Sequence, residues 1–201
     1  MARINRKWDP NYFDHVVMRG NNRQHIFSNR MDIAVLFHTL NYANTKHPFT
    51  VIAYCIMNNH FHLLIRSPEV PLGKVMGLIN KQYSNYYRKK YNYTGYLYES
   101  RYFARMVPDP IALLSVSAYI HQNPVATKKP MVKRMENYPY SSFRLYHRNI
   151  ESPYPFLDLT VLPSLLPEPY DTTRNGYTKF CEDFQHNEKI KKYIKATSLN
   201  H

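Results

Sequence analysis

The chain has 201 residues, 44% of them hydrophobic and 15% aromatic with 19 tyrosines, which excludes a disordered basic tail and suffices for one real core. Its 27 Lys and Arg against 14 Asp and Glu give a net charge of +13, divided unevenly: residues 1–150 hold 21 basic and 7 acidic side chains (+14), residues 151–201 hold 6 and 7 (−1). No apolar run approaches the ~20 residues of a membrane span, and the charged start MARINRKWDP has no apolar stretch behind it, so we expect no membrane association, no signal peptide and a cytoplasmic protein.

Cys55 and Cys181 form no CxxC pair and read as reduced, buried side chains. Five glycines leave few hinges, and prolines do most of the punctuation. His15 to Gly20 (HVVMRG) reads as a first strand. Asn29, with Asp32 three residues on, is a plausible helix N-cap, and Ile33, Leu36, Phe37, Leu40 and Ala43 follow at helical spacing. Phe49 to Met57 and Phe61 to Ile65 read as an antiparallel hairpin turning at Asn58 and Asn59. Pro71 suits the first position of a second helix, whose stripe Leu72, Val75, Met76, Ile79, Tyr83 and Tyr86 leaves Lys74, Lys81, Arg88 and Lys89 off it and which ends near Tyr91. Tyr96 to Val107 looks extended, Asp109 and Pro110 cap and start a third helix, and that helix is expected to end near Pro124. Met131 to Tyr146 looks loop-like, and the tail carries short amphipathic pieces around Tyr177 to Phe184 and Ile190 to Ile194.

This order predicts an α+β fold: a ferredoxin-like (RRM-like) split βαβ domain with an antiparallel sheet over 1–147, a further helix appended, and a helical C-terminal appendage over 148–201. The near-neutral tail reads as a packing or gating element, and the polyanion-binding surface is expected before it.

Three groups of residues could carry chemistry. His60 and His62 alternate on one strand, so both imidazoles fall on one face and could chelate a divalent ion given a third ligand; the pair by itself reads first as a hydrogen-bonded surface pair. Tyr119 and Asn123 are four apart on the third helix, a potential nucleophile beside an oxygen donor, or else a packing residue and a helix stop. Tyrosine needs help to attack, because its free pKa is near 10; a metal polarising the electrophile would supply it. Between Tyr83 and Tyr102, eight tyrosines (83, 86, 87, 91, 93, 96, 98 and 102) interleave with Lys81, Arg88, Lys89, Lys90, Arg101 and Arg105, the composition of a single-strand binder with stacking rings. Arg3, Arg6, Lys7, Arg19 and Arg23 form a second basic group. His121 points well away from Tyr119 around a helix and suits packing or DNA contact better than general base.

Five blocks in order, RGNNRQHIF (19–27), AYCIMNNHFHLLI (53–65), GYLYESRY (95–102), AYIHQNPV (118–125) and YPYSSFRLY (138–146), make the chain resemble the REP-associated tyrosine transposases, IS200-like members of the HUH nuclease superfamily. The resemblance implies a metal-dependent transposase and endonuclease that cleaves and rejoins hairpin-containing single-stranded DNA, such as REP-like palindromes, through a 5′-phosphotyrosine. It implies Tyr119 as nucleophile, His60, His62 and Asn123 as ligands to Mg2+ or Mn2+, and DNA contacts from Arg19, Asn21, Asn22, Arg23, Lys81, Arg88, Lys89, Arg101 and Tyr102. It favours a monomer, with a dimer of composite sites as the alternative, nucleoid-associated when bound to DNA. One departure is Asn58, where the family usually has proline; Asn at a turn remains compatible with the hairpin. The rival readings are a non-catalytic ferredoxin-like binder of single-stranded nucleic acid and a phosphodiesterase using activated water.

Overall fold

The structure is a computed structural model and describes residues 8–184. Arg3, Arg6, Lys7 and the Ile190 to Ile194 piece lie outside these residues. Four strands, β1 (Phe13–Arg19), β2 (Thr50–Ile56), β3 (His60–Arg66) and β4 (Phe103–Val107), form one antiparallel sheet in the order β2-β3-β1-β4. Helix α1 (Arg30–Lys46) connects β1 to β2, and α2 (Leu72–Tyr91) connects β3 to β4. That is the split βαβ arrangement expected from the order of elements.

Helix α1 starts where expected, with a capping box: Asn29 accepts from the amides of Met31 and Asp32, and Asp32 accepts from that of Asn29. Its stripe Ile33, Leu36, Phe37, Leu40 and Ala43 is buried throughout. Asp32 itself is fully buried, receiving Ser28 N, the hydroxyls of Tyr86 and Tyr91 and the Lys90 ammonium at 2.5–2.8 Å. Burial pushes its carboxyl up, but the Lys90, Tyr91 and Tyr86 donors outweigh burial and hold it below the ordinary range. Tyr87, one turn after Tyr83, takes the core position expected for Tyr86, which instead turns to Asp32.

Both faces of the sheet are covered. Phe61 on β3 meets Phe27, which packs on Tyr83 of α2, so odd-numbered β3 residues face α1 and α2. His62 meets Tyr119 of helix α3 (Pro110–Ala126), so even-numbered ones face α3. Two-sided burial is why β2 and β3 read as continuous apolar runs. The Met57 amide bonds the His60 carbonyl at 2.8 Å, leaving Asn58 and Asn59 as the two-residue hairpin loop that was expected.

Two expectations need correction, and a third holds. Only Phe103–Val107 is strand, while 96–102 is irregular apart from a bridge from Tyr98 to Gly20. Helix α3 ends at Ala126, near Pro124 as expected; Pro124 sits in the last turn, where the one donor it lacks would serve Ile120, and the Asn123 side-chain amide approaches that carbonyl at 3.5 Å. The 131–146 region is mostly irregular but includes the start of a short helix, α4 (Phe143–His147), which runs beyond it.

Beyond α4, the chain continues into α5 (Val161–Ser164) and α6 (Arg174–Asp183). Residues 148–184 pack closely on the rest. Val51 N bonds Phe156 O at 2.7 Å and Asp158 N bonds Val51 O at 2.9 Å, covering the β2 edge. Tyr177 on α6 is fully buried; it donates to Ser117 Oγ of α3 at 2.8 Å and hydrogen-bonds His121 Nδ1 at 3.0 Å, while His121 Nε2 lies 2.8 Å from Ser142 Oγ. The YPYSSFRLY block works on the same edge, with Tyr138 and Tyr146 donating to the carbonyls of Ile56 and Ile52. Cys55 and Cys181 are free and buried, and burial pushes both thiols up. Among the described residues no helix is long and apolar enough to cross a membrane.

Candidate nucleic-acid cleavage site

Strand β3 and helix α3 bring the predicted His and Tyr motifs together. Pleating puts His60 and His62 on the α3 side, with ring centroids 4.9 Å apart. The Tyr119 ring stands edge-on to His62, centroids 5.8 Å apart and planes at 90°. Asn123, one turn on, hydrogen-bonds with His60 through its side chain. Its amide nitrogen donates to the Tyr119 carbonyl at 2.9 Å, so its oxygen is the atom left to face the histidines.

Both imidazoles are neutral near pH 7. Burial first, then the positive charge of Arg19, lowers His60 to about 4 against the help of Asn123. Burial, then His60, His15 and Arg19, holds His62 well below its ordinary value. Neutral imidazole is the form that ligates a metal. The donor set fits a divalent cation on one further observation: His62 Nε2 is buried with no hydrogen-bond partner. Among the described residues no three His, Cys, Asp or Glu side chains gather as a metal-holding group, so a third protein ligand would be of another type, and the Asn123 oxygen is adjacent.

His15, read from sequence only as the start of a strand, is part of this cluster. Its ring lies nearly in the plane of His62, planes 17° apart and centroids 5.3 Å apart, with its Nε2 3.0 Å from His62 Nδ1. Burial lowers it to about 4. Nothing in its local sequence signals this, because the β1 to β3 register places it there.

A groove of about 630 Å³ opens at the same end of the sheet, on the α1 and α2 face. Lys81, Ser84, Asn85 and Arg88 line it from one face of α2, with Asn21 and the 96–101 segment opposite. Three sequence blocks knit together here. Asn21 N bonds Leu97 O at 2.9 Å, Glu99 N bonds Arg19 O at 3.1 Å, and Gly20 N bonds Asn59 O at 2.8 Å. A Cβ on Gly20 would meet Gln24 O at 2.5 Å, so this close approach requires glycine.

The groove gathers Asn21, Lys81, Arg88 and Arg101 of the expected DNA contacts. Asn22, Arg23 and Lys89 are exposed nearby in sequence but do not line it, and Arg19 is half-buried beside His60. Tyr102 is a correction: it is 8% exposed, and its hydroxyl lies near Gly73, so it offers no ring face to a base. Most of the eight interleaved tyrosines are likewise built into the fold. Tyr96 is 82% exposed on the groove and is the ring free to stack. Arg88 also donates to Gly95 O at 3.2 Å, holding the 96–101 segment in place. His121 is fully buried, its pKa lowered to about 3 by burial, so of its two expected roles it takes packing.

Comparison with known proteins bears directly on this arrangement. The model of the family described as Transposase IS200 like matches residues 9–123, which run from just before β1 to Asn123. The chain belongs to the IS200-like transposase family. A curated Haemophilus influenzae protein, named provisionally as a REP-associated tyrosine transposase, is 29% identical over an alignment of 118 positions that covers 53% of this chain. The match spans 64% of that relative's length. A solved structure of a REP-associated tyrosine transposase bound to a REP hairpin superposes with a TM-score of 0.61 at 18% identity, covering 80% of this chain and 94% of that one. At that identity the likeness speaks for the fold, which agrees with the split βαβ sheet of this IS200-like chain.

Proposed function

We propose that this IS200-like protein is a metal-dependent single-stranded DNA transposase that cleaves and rejoins hairpin-containing strands through a covalent 5′-phosphotyrosine on Tyr119. The observation that carries the reading is the convergence of Tyr119, two neutral histidines and Asn123 within one chain. The family match, and a structural neighbour described as bound to a REP hairpin, favour hairpin DNA such as REP-like palindromes as the substrate.

His60, His62 and Asn123 would hold Mg2+ or Mn2+, which supplies Lewis-acid polarisation of the scissile phosphate. Tyr119 gives up its phenolic proton and its oxygen bonds to phosphorus, as the bond from phosphorus to the 3′-oxygen breaks and that oxygen takes a proton. The phosphodiester is exchanged for a phosphotyrosine, so a second 3′-hydroxyl can reverse the step and join strands without nucleotide hydrolysis. Asn123 keeps Tyr119 in register through its bond to the Tyr119 carbonyl. Lys81, Arg88 and Arg101 would follow backbone phosphates along the groove, and Tyr96 would stack on an unpaired base. A monomer is the favoured state, since one chain brings nucleophile and histidines together, and a dimer is the alternative; light scattering of the purified protein separates them.

Incubating the protein with labelled hairpin single strands and Mn2+ should give an adduct that survives SDS, and Tyr119→Phe should give none. No adduct with any hairpin strand refutes the transposase reading. Cleavage retained in Tyr119→Phe would favour activated water as the nucleophile. Binding without cleavage under every condition would favour a non-catalytic binder.

A further inference from the structure

We propose that His15 is a positioning residue for the metal site: it fixes the tautomer of His62, so that His62 Nε2 is the bare nitrogen facing a cation. This inference rests on the metal site proposed above. His15 Nε2 and His62 Nδ1 lie 3.0 Å apart in a buried pair. Between two neutral imidazoles that hydrogen bond holds one proton, and it has two possible owners.

If His15 owns it, His62 Nδ1 accepts, His62 carries its proton on Nε2, and the buried unpartnered atom is a donor that cannot ligate. If His62 owns it, Nδ1 donates to His15 and Nε2 presents a lone pair. Only the second arrangement gives the orphaned Nε2 a use, since a cation satisfies a lone pair and repels an N–H. Ligating histidines commonly donate their other nitrogen to an outer partner for this reason.

The surroundings hold His15 in this role. Its ring lies nearly in the plane of His62, and the rings of Phe103 and Tyr119 stand nearly perpendicular to it with centroids at 6.4 and 6.1 Å, so it cannot swing away without disturbing the nucleophile. It faces the same layer as His62 because β1 pairs directly with β3.

Two variants separate the proton role from packing. His15→Phe keeps an aromatic ring but removes the acceptor; His15→Gln keeps a carbonyl that can accept. In 15N-histidine-labelled, metal-free protein, two-bond 1H–15N spectra should show His62 protonated at Nδ1 in the wild type and in His15→Gln, and at Nε2 in His15→Phe. Titration with Mn2+, following free ion by electron paramagnetic resonance, should show affinity reduced roughly 10- to 100-fold in His15→Phe and largely restored in His15→Gln. Circular dichroism confirms that each variant is folded.

A wild-type His62 protonated at Nε2, or a folded His15→Phe that binds Mn2+ as tightly as wild type, would overturn the inference. Mn2+ binding that His60→Ala abolishes but His15→Phe does not touch would overturn it alone. Failure of wild-type protein to bind Mn2+ would overturn the proposed metal site and the role of His15 with it.

Discussion

Replacing Tyr177 by phenylalanine removes one hydroxyl from a fully buried ring and leaves its packing on Tyr146 and His121 in place. That hydroxyl bonds Ser117 Oγ at 2.8 Å and His121 Nδ1 at 3.0 Å. Ser117 keeps its bond to the Leu114 carbonyl, but His121 Nδ1 is left without a partner where no water replaces the lost one. An orphaned buried polar atom costs about 1–3 kcal/mol, so the loss should be ~2 kcal/mol, or about 4–8 °C in Tm for a chain of this size. Urea and thermal unfolding measure it. Tyr177→Ser should cost more, on the order of 3–5 kcal/mol, because the ring's volume goes as well. A Tyr177→Phe protein within about 1 °C of wild type would refute the view that α6 is keyed to the back of the nucleophile helix through this network.

Acid should destabilise the fold well above the carboxylate range. His121 titrates near 3 when folded and near 6.5 when unfolded, so the unfolded chain takes up its proton first; stability is complete above pH 6.5 and declines by about 3 kcal/mol on reaching pH 4. His15, lowered to about 4, acts in the same direction, and denaturant midpoints flat between pH 7 and pH 4.5 would refute this. Asp32→Ala should cost on the order of 3 kcal/mol in urea unfolding, since it strips a buried acceptor from Lys90, two tyrosines and the α1 cap. Lys81→Ala and Arg101→Ala should each reduce the slope of log affinity against log salt by about 0.7–1 for single-stranded hairpin DNA, while Lys179→Ala on the tail leaves it unchanged. Equal slopes for all three would remove the groove from the binding surface.

Local rules carried much of the fold. The Asn29 and Asp32 cap, the apolar stripes of α1 and α2, the two-residue turn at Asn58 and Asn59 and the Asp109 and Pro110 start of α3 all appear where the sequence places them. Each depends on neighbours within a turn or two. Pro124 also marks the end of α3, which stops two residues later, with the Asn123 amide near the carbonyl that the proline leaves without its donor. Tyr86 and Tyr87 could not be told apart by periodicity, since the choice between them rests on Asp32 more than fifty residues away.

The sequence by itself determined the chemistry on offer: His60 and His62 on one strand face, Tyr119 and Asn123 on one helix face, and a basic surplus in residues 1–150. Alternation and helical pitch set those pairings whatever the rest of the chain does. Only the tertiary structure decided what each pair meets. The β1 to β3 register set His15 against His62, layer packing laid Tyr119 over both, and the docking of residues 20, 21, 59 and 97 built the groove. It also withdrew Tyr102 into the core and left Tyr96 exposed. Two tyrosines six residues apart look alike in sequence; burial, a property of the whole fold, separates them.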